Sequence, residues 1–179
     1  MIPAHKNTIM IHCLDTPPSW AKGKSIDAIV KEVTRWHVVE RGWSGIAYAA
    51  VIGLGGAVGK GRDLDGDGDV WEETGAGAKG WNKNVIHLAL VGGKGGTADD
   101  QFSDHYTEKQ GAALRKTIAE IEALAGRKLR IMGHNEVAAK ACPCFNVKQW
   151  YDDILIPKPM RVQRTIWAVI ADLLKGLKR

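Results

Sequence analysis

The chain has 179 residues, of which 45% are hydrophobic, and this is enough for one ordinary hydrophobic core. The formal charge of +5 is concentrated at the C-terminus, because residues 160–179 hold five Lys or Arg residues and a single acid. The rest of the chain is nearly neutral, which argues against a nucleic-acid-binding surface. The sequence shows no basic leader followed by an apolar segment, and no apolar run of the roughly 18 residues that span a bilayer. We expect synthesis in the cytoplasm without a signal peptide.

The first predicted elements in chain order are a strand and a helix. Residues 8–12 are a short β-prone run that ends before the turn-forming residues 15–18, so His12 lies at the end of the strand. Ser25 is a suitable N-cap for a helix whose apolar residues recur at helical spacing, and Gly42 follows as a C-terminal stop. The apolar face of this helix predicts packing on a sheet.

Further strands and a second helix complete the predicted domain. Residues 48–52 and 57–60 predict a hairpin. Apolar or β-prone runs predict a buried strand at residues 85–91 and a final strand at residues 129–132. Thr107 is a suitable cap for a helix that ends before Gly126. The mixture of strands and helices indicates an α/β domain.

A short stretch after the final predicted strand carries residues suited to a metal site. This stretch contains His134, Lys140 and Cys142 within nine residues of one another. His134 stands at the end of the final predicted strand, and His12 stands at the end of the first. Side chains at the same ends of neighbouring strands can converge on one rim. A catalytic zinc ion takes three protein ligands, such as histidine and cysteine, and keeps one position for water. The pattern alone also allows two hydrogen-bonded structural histidines and a small buried cysteine.

Six short motifs succeed one another between residues 8 and 152. They are Ile11-His12-Cys13, Trp36-His37 with Arg41-Gly42-Trp43, Tyr48 ahead of Gly61-Arg62-Asp63, Lys79-Gly80-Trp81-Asn82, Leu90-Val91-Gly92-Gly93, and Gly133-His134 through Lys140-Ala141-Cys142-Pro143. Each motif alone is weak, but all six in order make the sequence resemble the phage-type N-acetylmuramoyl-L-alanine amidases. That family shares its fold with peptidoglycan recognition proteins. The resemblance implies an α/β fold in which a mixed central β-sheet is flanked by helices.

The resemblance implies a peptidoglycan hydrolase that cleaves the amide bond between N-acetylmuramic acid and L-alanine. It implies His12, His134 and Cys142 as ligands of Zn²⁺, and Tyr48 and Lys140 as the catalytic pair. The zinc ion would activate a water molecule, and Lys140 would stabilise the charge that develops on the tetrahedral oxygen. Tyr48 would hydrogen-bond the water or relay a proton to the leaving amine. The implied biological setting is a phage or prophage endolysin that acts on the cell wall after release.

Two positions depart from the pattern of the family. Ala49 follows Tyr48 where many relatives carry a histidine, and Gly77 stands where another histidine is common. Neither position is a zinc ligand in the resemblance. The glycine removes a potential contact to the substrate or the transition state, so the rate and the preferred stem peptide stay open.

Three other features receive a structural interpretation. His37 on the first predicted helix is expected to be packed or hydrogen-bonded. Glu136 could act as a base or could pair with a backbone group or with Arg62, and it stays outside the predicted catalytic set. Residues 63–69 carry Asp at alternate positions like a calcium loop, but Thr74 stands where a bidentate glutamate belongs. A polar loop is therefore preferred to a calcium site.

The C-terminal segment predicts an appended helix. After Pro157 and Pro159, apolar residues recur at helical spacing with basic residues at both ends. We therefore predict a catalytic domain at residues 1–156 and a basic amphipathic helix at residues 157–179. This helix either docks on the domain or places residues 160–179 against an anionic membrane or lipopolysaccharide. We expect a monomer whose partner is its peptidoglycan substrate, with no nucleic-acid partner.

Two functions from other classes stay open. The first is a peptidoglycan-binding protein without catalysis, although the presence of Tyr48, Lys140 and Cys142 argues against it. The second is a membrane-active protein that acts through its C-terminal helix, with the preceding domain as a carrier.

Overall fold

The computed structural model describes residues 2–155, and these residues contain a mixed five-stranded sheet. Its strands are β1 (Thr8–Cys13), β2 (Ala50–Ile52), β3 (Val58–Lys60), β4 (Val85–Leu90) and β5 (Arg130–Gly133). The order across the sheet is β3-β2-β4-β1-β5, with β2 antiparallel to β3 and the other neighbours parallel. The predicted α/β fold with a mixed central sheet is confirmed, and β1 lies inside the sheet between two parallel partners.

The α-helices of the same residues are α1 (Pro18–Ala21), α2 (Ile26–Arg35), α3 (Phe102–His105), α4 (Glu108–Ala125) and α5 (Val147–Leu155). A π-helical turn at Trp36–Glu40 continues α2. Short 3-10 turns precede β4 at Asn82–Asn84 and follow β5 at His134–Glu136. The second of these turns matters for the site, because it begins at a predicted zinc ligand.

The helix α2 covers one face of the sheet. Its N-terminus is capped as predicted, since the Ser25 hydroxyl accepts a hydrogen bond from the Ala28 N–H at 3.2 Å. Ile29 and Val33 are buried in the same apolar cluster as residues of β2 and β4. The helical segment ends before Gly42, whose φ of 68° belongs to the left-handed region that favours glycine.

The helix α4 is the longest in the described residues, and its apolar stripe is fully buried. Thr107 and Gln110 form a capping box at its start, as the sequence predicts. The Gln110 side chain also donates hydrogen bonds to the carbonyl oxygens of Ile52 and Val91, which ties the start of α4 to the ends of β2 and β4. The side chains that form the stripe are Leu114, Ile118 and Ile121.

Two short helices were not predicted from the sequence. The first, α1, begins at Pro18 inside the segment predicted as a loop, since proline in the first turn suits a helix start. The second, α3, precedes α4 and has a capping box between Gln101 and Asp104. Each has four residues, which is too short to show a helical period in the sequence.

The predicted C-terminal helix lies outside the described residues. Residues up to Lys148 form one compact unit, and a second unit begins at Gln149. The helix at 157–179, its contact with a membrane and the predicted boundary after residue 156 therefore stay predictions. Within residues 2–155, no helix has the length and apolar character needed to cross a bilayer.

Candidate active site

Two neighbouring parallel strands bring the predicted histidine ligands together. The register pairs Ile11 of β1 with Gly133 of β5, so His12 and His134 come next on strands spaced by about 4.8 Å. Their ring centroids lie 4.7 Å apart, and both side chains are buried. Glu136 closes the turn after β5, because its carboxylate accepts the Gly133 N–H at 2.7 Å. Glu136 thus pairs with a backbone group, which is one of the two roles that the sequence allowed.

Cys142 reaches the same place from the loop that follows. Its Sγ lies 3.7 Å from Nδ1 of His12 and accepts a hydrogen bond from the Cys13 N–H at 3.2 Å. The Asn135 N–H donates to the Cys142 carbonyl oxygen at 2.6 Å, which holds the loop against the 3-10 turn. One ligand atom from each of His12, His134 and Cys142 lies within 4.8 Å of the others.

This arrangement fits a zinc ion. In a tetrahedral site with Zn–S of about 2.3 Å and Zn–N of about 2.1 Å, the nitrogen and sulfur ligands lie about 3.6 Å apart. The distance of 3.7 Å between His12 Nδ1 and Cys142 Sγ agrees with this value. Imidazole nitrogen and thiolate sulfur are also the ligand types that zinc prefers. The donor set and its spacing therefore suit Zn²⁺.

The electrostatic surroundings keep the two histidines neutral. Burial, with further contributions from His87, His134 and Lys140, lowers the pKa of His12 well below its usual value. Burial and the Lys140 charge also lower the pKa of His134. A side-chain hydrogen bond with the Cys13 thiol, followed by burial, raises the pKa of the Cys142 thiol, although the Cys13 N–H acts in the opposite direction. A metal ion must therefore displace a proton from the thiol, so metal binding weakens as the pH falls.

A cleft of about 760 Å³ opens over the three residues. Tyr48 and Lys140 line this cleft, as do Arg41 and Trp43. The Tyr48 ring centroid lies 5.3 Å from that of His12. Burial, followed by the nearby Cys142, raises the pKa of the Tyr48 phenol, so the hydroxyl keeps its proton at neutral pH. The structure thus brings the two predicted catalytic residues and the three predicted ligands to one cleft.

His37 lines the same cleft, and its contacts agree with the expected structural role. Its Nδ1 accepts a hydrogen bond from the Ala47 N–H at 3.2 Å, next to Tyr48 in the chain. Its ring stacks on Trp43 with centroids 4.9 Å apart and contacts the Tyr48 ring edge-on at 5.5 Å. The histidine therefore holds two aromatic side chains that line the cleft.

The buried His37 makes the stability of the fold depend on pH. Burial, then the charges of Arg41 and Arg62, lower its pKa to about 4. The unfolded chain, with a histidine pKa of about 6.5, binds more protons than the folded chain between these two values. The stability that neutral His37 contributes is therefore complete above pH about 6.5 and is lost as the pH falls towards about 4.

We expect His37→Asn to reduce this pH dependence. Asparagine keeps an acceptor for the Ala47 N–H but does not titrate, so the free energy of unfolding should fall less steeply, by up to about 1.4 kcal/mol per pH unit. Urea denaturation of the metal-free wild type and variant across this pH range measures the two slopes. Equal slopes would show that His37 keeps an ordinary pKa in the folded protein.

The structure adds one residue to the site that the sequence analysis did not single out. His87 lies fully buried in the middle of β4, and its Nδ1 is 2.9 Å from Nε2 of His12. The only signal in the sequence was a histidine inside an otherwise apolar strand, Val85–Leu90. Burial and the charge of Lys6 lower the pKa of His87 to about 3, so the ring is neutral.

The Asp-rich loop at residues 63–69 is closed by its own side chains. The Asp63 carboxylate accepts hydrogen bonds from the N–H groups of Gly66 and Gly68 at 2.8 Å and 3.1 Å. The carboxylates of Asp65 and Asp67 each accept the N–H two residues later in the chain. One carboxylate oxygen from each of Asp63, Asp65 and Asp67 also lies within 4.8 Å of the others, so the polar loop preferred from the sequence stays a prediction.

Comparison with known proteins assigns the chain to a family. A family model described as N-acetylmuramoyl-L-alanine amidase matches residues 4–145, which include the three predicted metal ligands and the two predicted catalytic residues. The chain belongs to this family and is a peptidoglycan amidase. The family resemblance inferred from the sequence motifs is confirmed.

A curated relative agrees with this assignment, and solved structures share the fold. The chain is 36% identical over 149 residues to the endolysin of Escherichia phage T7, which covers 82% of this chain and 85% of the relative. Its fold is similar to that of bumblebee PGRP-SA, with a TM-score of 0.66, 19% identity and coverage of 88% of each chain. The amidase LysC from Clostridium intestinale matches with a TM-score of 0.62, 19% identity, and coverage of 86% of this chain and 87% of LysC.

Proposed function

We propose that this chain is a zinc-dependent N-acetylmuramoyl-L-alanine amidase that acts as an endolysin. His12, His134 and Cys142 would hold the zinc ion, and Tyr48 and Lys140 would be the catalytic residues. The observation that carries the proposal is the convergence of three ligand atoms within 4.8 Å at the base of a cleft. The similarity to phage endolysins supports a role in degrading the bacterial cell wall after release from the cytoplasm.

The separate roles of the zinc ion and Lys140 follow from where the side chains lie. Bound zinc supplies a Lewis acid for the scissile carbonyl and a nucleophilic water near neutral pH. The exposed Lys140 lines the cleft, so its ammonium can lie against the amide oxygen as negative charge develops there. An interaction of this kind is stronger in the transition state than with the neutral amide, and it therefore raises kcat.

Tyr48 is suited to donate a proton or a hydrogen bond. Its pKa lies above the usual range, so the phenol is a stable donor rather than a base. Its ring lies beside His12 and is held by His37, which limits its movement within the cleft. We propose that its hydroxyl hydrogen-bonds the attacking water and assists protonation of the L-alanine amine as it leaves.

Hydrolysis of purified peptidoglycan tests the proposed function. We expect the protein to release stem peptides with a free L-alanine amino terminus, detected by amine labelling and mass spectrometry. A chelator should abolish the release, and added Zn²⁺ should restore it, whereas Mg²⁺ should not because it prefers oxygen ligands. Activity that resists chelation would refute zinc dependence.

The same experiment separates catalysis from binding alone. A protein that binds zinc and sediments with peptidoglycan, yet releases no amino termini, would be a peptidoglycan-binding protein without amidase activity. Cleavage products with new reducing sugar ends would indicate a glycosidase instead. Either result would overturn the proposed reaction, because an amidase releases amino termini and leaves the glycan strand intact.

A further inference from the structure

The buried His87 contacts a proposed ligand on the side away from the metal position. The parallel register pairs Met10 with His87 and His12 with Ala89, so the two histidines lie on the same face of adjacent strands. Their Nδ1 and Nε2 atoms lie 2.9 Å apart, which is an ordinary hydrogen-bond length. Both side chains are buried, so water does not compete for this contact.

The direction of this hydrogen bond follows from the position of Cys142. Its Sγ faces Nδ1 of His12 at 3.7 Å, so Nδ1 is the atom that a metal shared with Cys142 would bind. A neutral, metal-bound histidine then carries its proton on Nε2. The Nε2–H of His12 must then donate a hydrogen bond to Nδ1 of His87, and His87 carries its own proton on Nε2. This Nε2 atom of His87 has no hydrogen-bond partner among the described residues, so the hydrogen bond with His12 is what fixes the ring.

Glycines on the neighbouring loop make room for the His87 ring. A Cβ atom at Gly77 would lie 2.6 Å from His87 Nδ1 and 3.1 Å from His12 Nε2. A Cβ atom at Gly75 would lie 2.5 Å from Cδ2 of His87. These distances are far below van der Waals contact, so neither position accepts a side chain while the ring is in place.

Both departures from the family pattern therefore contact His87. The Ala49 N–H donates to the His87 carbonyl oxygen at 2.9 Å, and Gly77 lies against the ring. The histidine expected at position 77 would occupy the space that the His87 imidazole now fills. An imidazole is thus present at this place in the site, but it comes from β4 rather than from the loop.

We propose that His87 is a positioning residue for zinc and that Gly77 is a glycine because of it. By accepting the Nε2–H of His12, His87 holds the His12 ring with Nδ1 towards the metal. Partners of this kind orient metal-bound histidines, and their loss typically lowers metal affinity 10- to 100-fold, roughly. The proposal rests on the zinc site proposed above.

Zinc affinity of two His87 variants tests the proposal. His87→Leu fills similar space without an acceptor, whereas His87→Asn can place Oδ1 near the position of Nδ1. We expect the leucine variant to bind zinc about 10- to 100-fold more weakly, and the asparagine variant to keep most of the affinity. Competition with a chromophoric chelator measures both, and thermal unfolding of the metal-free proteins reports on packing alone.

The possible results are distinct. Wild-type affinity in His87→Leu, or an equal loss in both variants, would overturn the role of His87 while leaving the zinc site intact. Failure of the wild type to bind zinc would instead overturn the proposed function, and this inference with it. A loss confined to the leucine variant, without a matching difference in thermal stability, supports positioning.

A measurement on the unmodified protein covers the case in which a variant does not fold. Long-range ¹H–¹⁵N spectra of the zinc-loaded wild type assign the protonated nitrogen of each imidazole. We expect His12 and His87 both to be protonated at Nε2. A proton on Nδ1 of His87 would make it a donor and would overturn the proposal.

Gly77→Ala tests separately whether the glycine at position 77 makes room for the His87 ring. In the wild type the added methyl group would displace the His87 ring, so zinc affinity should fall. In a His87→Ala background only the contact of 3.1 Å with His12 Nε2 remains, so the same substitution should have a smaller further effect. Equal effects in the two backgrounds would show that position 77 does not act through His87.

Discussion

Replacement of Cys142 by alanine is expected to abolish zinc binding and to lower amide hydrolysis by roughly 10³-fold or more, because the proposed zinc ion would supply both the nucleophile and the Lewis acid. Alanine removes one of three ligand atoms that lie within 4.8 Å of one another. The two remaining histidines are neutral and leave the metal with a weaker, incomplete donor set. Zinc content by mass spectrometry and release of L-alanine amino termini measure the two effects.

The chain offers a matched control for this substitution. Cys144 is buried two residues further along, where its Sγ donates to the Gly93 carbonyl oxygen at 3.2 Å and lies 4.0 Å from the Sγ of Cys13. Cys144→Ala should therefore reduce thermal stability but keep zinc and hydrolysis. Zinc retained by Cys142→Ala at wild-type affinity would remove Cys142 from the ligand set.

Lys140→Met should have the second largest effect, and it should separate catalysis from metal binding. Methionine keeps much of the length of the side chain but removes the cation from the cleft. We expect kcat to fall roughly 10²- to 10³-fold, as when one stabilising group is removed from a developing oxyanion. Zinc affinity should be unchanged or slightly higher, because the Lys140 charge lowers the pKa of His12 and of His134 and so opposes a second cation.

Initial rates on a soluble muropeptide over a range of concentrations separate kcat from KM for this variant. Lys116→Met is a suitable control, since Lys116 lies exposed on α4 and pairs with Glu120 at 3.7 Å. It should leave both constants unchanged. Loss of zinc from Lys140→Met, or an unchanged kcat, would contradict the role given to Lys140.

The elements that could be predicted from the sequence are those with a clear local signal. Capping residues Ser25 and Thr107 mark the starts of α2 and α4, and a run of apolar residues marks β4. The short helices α1 and α3 were missed because four residues cannot show a helical period. The order of the strands is a property of long-range packing, and only the family resemblance carried information about it.

The same distinction applies to the site. His12 and His134 could be predicted because each stands at the end of a recognisable strand. Among the three cysteines, only Cys142 lies in a group with His12 and His134 that could hold a metal ion, and the family motif rather than local spacing indicated this. His87 could not be predicted, because its contact with His12 depends on β4 lying beside β1 in the sheet.

The position of β1 also determines when the site can exist during synthesis. This strand leaves the ribosome well before its two partners in the sheet, because β4 and β5 are encoded much later in the chain. Pairings of such long sequence separation form late and slowly in folding. A nascent chain therefore carries His12 without its neighbours, and the proposed zinc site can form only after translation has passed Cys142.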